Sequence, residues 1–499
     1  MNINEEPPKE MKRDSLKTSS FFNILIKVLA YLFPLILSPY LYRTLGVAGI
    51  GQYTYEYSYV SYFMLVASFG FDTYGAKEIT INSDSKEKLT QRFWSLYISK
   101  MIFGFVCLIV YYSLIFSRVF GDESSFLSYS LLSMFIIGTM TDITFFFTGI
   151  EKFKSISLKT LLVKLVSFIL VFIFVHSNAD YIAYVCIMSV SFLLASLVMY
   201  FPLRTYIGRP SKIGLSLWGD IKASSAFFVP ALAVTAYATF GKTFLGLFYD
   251  NTQVGYYESA VKLESVFTSI SFAVVPVLLS RNSYLISRGE KEQSAGVINK
   301  AFNALMDFSL PCCIGLFCIA NVFIPLFFGA DDTPAVPMLR ILCFSIPFVV
   351  ISSIVNYAYL IPYGKMKLVN LIPLSVCLSS LLASFLMIKY IGPVGAAYAT
   401  LFTEILSALL FFLFSRKAIP YKEVGKRTLR PLIASLLMGG FYYGINKLLC
   451  LALSPKISMV IDILLSALLY FALLFLFKDP FFYGFMCALK EKMKGRKQK

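Results

Sequence analysis

Three lysines inside apolar segments are the residues best suited to bind a ligand in this sequence. Lys27, Lys242 and Lys262 each stand in a stretch rich in Leu, Ile, Val and Phe. An ionisable group in such a segment normally faces a bundle interior, a water-filled cavity or a partner of opposite charge. We predict that these lysines line a cavity and attract an anionic group, such as phosphate. For Lys242, extension of the side chain to the membrane surface is an equal alternative.

Carboxylates in similar settings predict a second role. Glu56, Glu258 and Glu264 stand on segments close in sequence to the cavity lysines, so they either neutralise these cations or carry a coupling proton. Glu404 is a further candidate for coupling or gating. Some of these charges are expected to form acid–base pairs between helices, and residues near the end of a span, such as Lys100 and Glu258, can extend to the membrane surface.

The segment TDITFFFTGIEKFK (141–154) places an acid in an apolar run. On a continuous helix, Asp142, Phe145, Phe146 and Gly149 would share one face. The small Gly149 would permit close contact with another helix. We expect Asp142 either to accept hydrogen bonds from a neighbouring helix or to act at a gate.

Enzymatic and metal chemistry have no support in the sequence. The nine cysteines lie in apolar runs without a Cys-x-x-Cys spacing, and the only histidine, His176, lies in the polar stretch HSNAD. No phosphate-binding GxxxxGK[ST] segment occurs. We therefore expect no catalytic residues, no metal, no cofactor and no enzyme activity.

The composition is that of an all-α polytopic membrane protein. Of the 499 residues, 58% are hydrophobic and 15% charged, and the mean hydropathy is +0.72. About fourteen segments are long enough to cross a bilayer. They lie near 20–42, 50–72, 93–117, 125–148, 155–175, 180–201, 223–248, 254–279, 301–328, 338–362, 368–388, 391–415, 429–449 and 457–477.

The distribution of basic residues predicts the orientation. The tails and alternate loops hold about 34 Lys and Arg, the other loops about five, so by the positive-inside rule both termini are cytoplasmic. The net charge of +17 thus belongs to loops between membrane helices. It does not indicate nucleic-acid binding.

Weak internal matches predict two parallel six-helix lobes. Lys152-Phe153-Lys154 matches Lys365-Met366-Lys367, and Gly51-Gln52-Tyr53 matches Gly255-Tyr256-Tyr257. Parallel repeats are common in transporters. The predicted division is a cytoplasmic tail (1–19), an N-lobe (20–201), a cytoplasmic linker (202–222), a C-lobe (223–415), two further helices (416–477) and a basic tail (478–499).

Several of these segments resemble one family. DITFFFTGIEKF (142–153) is similar to a motif of the polysaccharide repeat-unit flippases, the O-antigen and exopolysaccharide transporters of the multidrug/oligosaccharidyl-lipid/polysaccharide exporter superfamily. Asp142, Gly149 and Glu151 match, whereas Phe145 and Thr148 stand where the family has Trp and Gln. The other matching segments are PYLYRTLGVAGIGQY (39–53), GKTFLGLFYDNTQVGYYESAVKLE (241–264), NYAYLIPYGKMK (356–367) and GPVGAAYATLFTE (392–404).

The resemblance implies a flippase with two lobes around a central cavity, located in the bacterial cytoplasmic (inner) membrane. Its substrate would be a polyprenyl-pyrophosphate-linked oligosaccharide, moved to the outer leaflet by alternating access for O-antigen, capsule or exopolysaccharide synthesis. Membrane lipids and polysaccharide polymerase machinery are the implied partners. An ion gradient or the membrane potential would drive transport.

Three alternatives stay open at this point. A peptidoglycan-precursor flippase fits the mechanism equally well. A cation or drug efflux pump of the same superfamily would prefer an acidic site and twelve helices, and a membrane-embedded polymerase or ligase would need a large outward loop.

Overall fold

The computed structural model describes residues 36–119, 125–208, 216–329, 332–416, 419, 421–452, 455–479 and 482. Every regular element in this part of the chain is a helix, which confirms the all-α prediction. Helices suit the hydrocarbon core of a membrane, because each helix satisfies its backbone hydrogen bonds internally.

Eighteen α-helices are described. They are α1 (36–44), α2 (Gly46–Ser68), α3 (Phe71–Ile81), α4 (Lys86–Phe116), α5 (Phe126–Thr141), α6 (Thr144–Gly149), α7 (Phe153–Phe174), α8 (Tyr181–Leu197), α9 (Tyr200–Tyr206), α10 (Leu217–Phe248), α11 (Asn251–Ser287), α12 (Lys291–Phe327), α13 (Ala335–Leu342), α14 (Ser345–Ile354), α15 (Met366–Ile391), α16 (Gly395–Ser415), α17 (Tyr421–Ala452) and α18 (Pro455–Leu476). A π-helical turn, Val355–Leu360, continues α14.

Nine helical stretches among the described residues are long and apolar enough to cross a membrane. Three of them, Phe126–Gly149, Asn178–Tyr206 and Ala335–Leu360, are built from consecutive shorter helices. Polar residues such as Glu56 in α2 and Lys262 in α11 lower the hydropathy of other predicted spans. The number of about fourteen spans stays a prediction.

The chain forms two compact units, residues 1–243 and 244–499. In the first unit, one buried cluster joins α2, α4, α5 and α8 around Val60, Leu132 and Val185. A second, largely aromatic cluster joins α3, α4, α6 and α9. The predicted lobe and tail boundaries stay predictions.

The second unit has its own core. Its larger cluster joins α11, α12, α14 and its π-helical turn to α15 and α16, with Ile354, Val355 and Leu360 fully buried. A smaller cluster packs α17 against α18 through residues such as Met438 and Tyr470. Each unit therefore buries apolar side chains independently of the other.

Two helix breaks in the first unit differ from the sequence prediction. The predicted span 125–148 is confirmed as the apolar stretch Phe126–Gly149. It is not one continuous helix, however, because α5 ends at Thr141 and α6 begins at Thr144. Asp142 therefore does not lie on a helical face with Phe145 and Gly149. The second break separates α2 from α3, where Phe69 and Gly70 both have a positive φ.

Candidate functional site

Asp142 forms the break between α5 and α6. Its backbone is extended (φ −65°, ψ 126°), and its Oδ1 accepts hydrogen bonds from the Thr144 backbone N–H, at 2.8 Å, and from the Thr144 hydroxyl. A carboxylate that accepts the N–H two residues further along the chain forms a local Asx turn, here immediately before α6. The carboxylate thus bonds within its own segment rather than to a neighbouring helix. Its predicted gating role stays a prediction.

Lys100 joins this break to the break between α2 and α3. Its Nζ is 2.7 Å from Asp72 Oδ1 and donates to the Asp142 carbonyl oxygen at 2.9 Å. The Lys100 side chain is fully buried, whereas that of Asp72 is 49% exposed. Of the two alternatives for Lys100, the structure shows the acid–base pair between helices and not extension to the membrane surface, since a carboxylate and a carbonyl bind its ammonium inside the unit. We call Lys100, Asp72 and Asp142 the Lys100 junction.

The carbonyl groups freed at the break have side-chain donors. The last carbonyl of α5, that of Thr141, accepts the Tyr200 hydroxyl at 2.6 Å, and the next, that of Asp142, accepts Lys100. Helix ends leave such groups without intrahelical partners. The break is therefore a satisfied, built feature of the unit.

Helix α6 packs closely against α3. A Cβ at Gly149 would stand 2.7 Å from the Ala76 carbonyl oxygen and from Ile79 Cβ, and one at Gly75 would stand 2.7 Å from the Phe145 ring. Thr80 Oγ1 donates to the Gly149 carbonyl at 2.9 Å. The prediction that Gly149 permits close helix contact is confirmed.

Arg92 organises a second ionic cluster in the first unit. Its guanidinium bonds to Glu78 at 2.9 Å, to Asp220 at 2.8 Å and to the Tyr74 hydroxyl at 2.7 Å. Ser95 Oγ donates to the other oxygen of Asp220 at 3.0 Å. The cluster ties α3, α4 and α10 together.

Glu56 is buried in α2 and is only 2% exposed. Its two carboxylate oxygens accept from Gln52 Nε2 at 2.9 Å and from the Tyr181 hydroxyl at 2.8 Å. Neither partner is charged. A buried carboxylate held by neutral donors is suited to hold a proton, so its coupling role stays a prediction that this geometry supports.

The second unit brings three predicted carboxylates near one another. Lys262 Nζ lies 3.8 Å from Glu258 Oε1, one turn away on α11. Glu264 Oε1 accepts from Ser345 Oγ at 2.9 Å, and Glu404 of α16 lies within electrostatic range of Glu264. Their coupling and binding roles stay predictions.

The other two predicted lysines lie outside the second unit as it is described. Lys242 lies in α10, next to Thr243, whose hydroxyl contacts Ser58 of α2 at 3.1 Å. Lys27 lies outside the described residues. The predicted cluster of Lys27, Lys242 and Lys262 therefore stays a prediction.

An irregular turn in the second unit depends on residues that the sequence did not indicate. In the π-helical turn, the Ala358 carbonyl would bond to the N–H of residue 362 in an α-helix, but Pro362 has none. Asn282 Nδ2 of α11 donates to this carbonyl at 3.0 Å, and Ser294 Oγ donates to Asn282 Oδ1 at 3.1 Å. We call Asn282, Ser294 and Ala358 the Asn282 turn.

A family model described as "Polysaccharide biosynthesis protein" matches residues 16–280 of the chain. This stretch includes the Lys100 junction, Glu56 and the carboxylates of α11.

Individual proteins extend the similarity to most of the chain. The "Putative O-antigen transporter" of Escherichia coli (strain K12) is 25% identical over 411 residues, which cover 81% of this chain and 97% of that protein. The "Probable low-salt glycan biosynthesis flippase Agl15" of Haloferax volcanii is 24% identical over 288 residues, covering 55% of this chain and 57% of that protein.

A solved structure has the same fold. The lipid II flippase MurJ, in an inward closed conformation, superposes with a TM-score of 0.71 at 19% identity, covering 93% of this chain and 99% of that one. At this identity the likeness concerns the fold.

Proposed function

This chain belongs to the family of polysaccharide biosynthesis proteins, and from that premise we propose that it is a flippase for lipid-linked oligosaccharides. It moves polyprenyl-pyrophosphate-linked repeat units from the cytoplasmic to the outer leaflet by alternating access, for cell-surface polysaccharide synthesis. The observation that carries this proposal is the similarity to the Escherichia coli O-antigen transporter over 97% of that protein's length.

The physical task explains why such a protein is needed. Each sugar hydroxyl left without a partner in hydrocarbon costs about 2–7 kcal/mol, so unaided flipping of an oligosaccharide is negligibly slow. A polar path between helices removes most of this cost while the prenyl chain stays in lipid. For a head group with about two negative charges, outward movement at 100 mV, inside negative, gains about 2.3 kcal/mol per charge.

The predicted residues take distinct roles in this transport. Lys27, Lys242 and Lys262 attract the pyrophosphate, while Glu56, Glu258, Glu264 and Glu404 set the local charge or carry a coupling proton. Asp142 acts at a gate. The neutral donors around Glu56 and the Lys262–Glu258 pair support this assignment.

The same proposal covers location, partners and chemistry. The protein lies in the bacterial cytoplasmic membrane with both termini in the cytoplasm, because its basic loops alternate along the chain. It delivers its product to polysaccharide polymerase machinery on the outer face. It breaks no covalent bond of the substrate and is not an enzyme.

Deletion of the gene in its host tests the function. We expect cells without the chain to lose surface polysaccharide and to accumulate the prenyl-linked repeat unit in the inner leaflet. There, glycosidase added outside spheroplasts does not cleave it. Single Lys→Ala changes at 27, 242 and 262 should lower export while membrane insertion, measured by immunoblot, is unchanged. Unaltered export in the deletion strain contradicts the function, and unaltered export in all three variants contradicts the lysine assignment alone.

A further inference from the structure

The Lys100 ammonium has two oxygen partners of kinds that also bind small cations. Its two oxygen partners are a carboxylate, Asp72 Oδ1 at 2.7 Å, and the Asp142 carbonyl at the end of α5, at 2.9 Å. Carbonyl groups at broken membrane helices, together with carboxylates, are the oxygens that bind Na⁺ in transporters. The ammonium is completely buried among them.

The charges around this position favour a cation strongly. The Asp142 carboxylate lies within electrostatic range of both Lys100 and Asp72. Thr144 saturates one oxygen of Asp142 with its N–H and hydroxyl, but both are neutral donors. Without Lys100, two acidic groups would face each other across the two breaks.

We propose that Lys100 is a tethered cation, whose ammonium fills a site with the oxygen ligands of Na⁺ and so makes the first unit independent of mobile Na⁺. The inference rests on the proposed transport function, because it specifies which coupling ion the first unit does not use. Lys100 is thus a specificity-determining residue for the driving ion.

When the Lys100 ammonium is removed by substitution, a Na⁺ ion can reach its position and has space to occupy it. Asp72, whose side chain is 49% exposed, opens the site to the outside of the unit. Replacement of Lys100 by Ala leaves space for an ion and water next to Asp72 and the Asp142 carbonyl. Lys100→Met is the matched control, since it removes the charge but fills the space with an apolar chain.

The test compares Na⁺ with choline at equal ionic strength, using the full chain purified in detergent. For Lys100→Ala we expect binding of close to one radiolabelled Na⁺ per chain, and a rise in Tm of about 2–4 °C in NaCl over choline chloride. The wild type and Lys100→Met should show neither effect at this site. Adding Asp72→Asn to Lys100→Ala should abolish both.

Several outcomes would overturn the proposal. One is a Lys100→Ala protein without Na⁺ binding, and another is Na⁺ binding by the wild type that Asp72→Asn removes. Lys100→Ser is measured in parallel. If neither small variant folds in choline chloride, the proposal still requires that NaCl restores folding, and failure in both salts contradicts it.

The result is separable from the proposed function. Na⁺ binding and Tm are measured without any glycolipid. A Na⁺ site in Lys100→Ala together with a wild type that moves no glycolipid would contradict the proposed function and support the proposal that Lys100 is a tethered cation. Glycolipid movement by the wild type, without a Na⁺ site in Lys100→Ala, would support the proposed function and contradict the tethered-cation proposal.

Discussion

In the Lys100 junction of the first unit and in the Asn282 turn of the second, a side chain donates to a backbone carbonyl that has lost its helical partner, but the two donors differ in charge. In both, a helix is irregular and a freed carbonyl accepts an N–H from a side chain of another helix, at 2.9 Å from Lys100 and 3.0 Å from Asn282. The donor is charged in the first case and paired with Asp72. In the second it is neutral and held by Ser294.

The two irregular helices end in the same way. Glu151 and Gly364 both have a positive φ, of 59° and 70°. The following residues, Lys152 and Lys365, donate their N–H to carbonyls five residues earlier, each at 2.9 Å. The sequence match between Lys152-Phe153-Lys154 and Lys365-Met366-Lys367 therefore coincides with a shared turn.

At these two turns the backbone geometry is the same, whereas the side chains that donate to the freed carbonyls differ in charge. A charged clamp responds to ions and to the loss of its counter-charge, whereas a neutral clamp depends on shape and hydrogen bonding alone. The first unit is thus the one in which charge controls the helix break.

The largest effect is expected from removing the charged clamp. Lys100→Met should lower the free energy of unfolding by about 2–4 kcal/mol, because it removes the counter-charge of Asp72 and leaves Asp72 Oδ1 and the Asp142 carbonyl without the ammonium donor. The measurement is thermal unfolding in detergent. Adding Asp72→Asn should restore part of the loss, and a single variant as stable as the wild type would contradict the charged clamp.

Removing the neutral clamp should have a smaller effect. Asn282→Ala leaves the buried Ala358 carbonyl without a donor and should lower the free energy of unfolding by about 1–3 kcal/mol. In a Pro362→Ala background the backbone regains an N–H at residue 362, so the same change should cost less. Equal losses in both backgrounds, measured by thermal unfolding, would argue against the role of Pro362.

The shared turn allows a finer test. Glu151→Gly should raise stability by up to about 1 kcal/mol, and Gly364→Ala should lower it by about 1–2 kcal/mol, because an L side chain is unfavourable at positive φ. Thermal midpoints of the two variants are compared with the wild type. Shifts of the same sign would mean that the two turns are not equivalent in energy.

The sequence predicted the helical class and the family, because hydropathy and ordered motifs are local signals. It did not predict the partner of Lys100, since Asp72 follows a helix break that the apolar pattern conceals. The Asx turn at Asp142 had a signal, an acid two residues before Thr144. Pro362 shows that a backbone N–H is missing, but the sequence alone could not identify Asn282 as the side chain that donates to the Ala358 carbonyl instead.

The most direct test of the central claim is a quencher-accessibility measurement in proteoliposomes. A fluorescent prenyl-pyrophosphate oligosaccharide is followed with and without an imposed potential, with a lipophilic cation dye and a lipid-linked peptidoglycan precursor as comparison substrates. We predict protein-dependent movement of the oligosaccharide lipid, accelerated by the potential, and no movement of the dye. Movement of the dye or of the precursor alone would contradict the assignment as an oligosaccharide flippase.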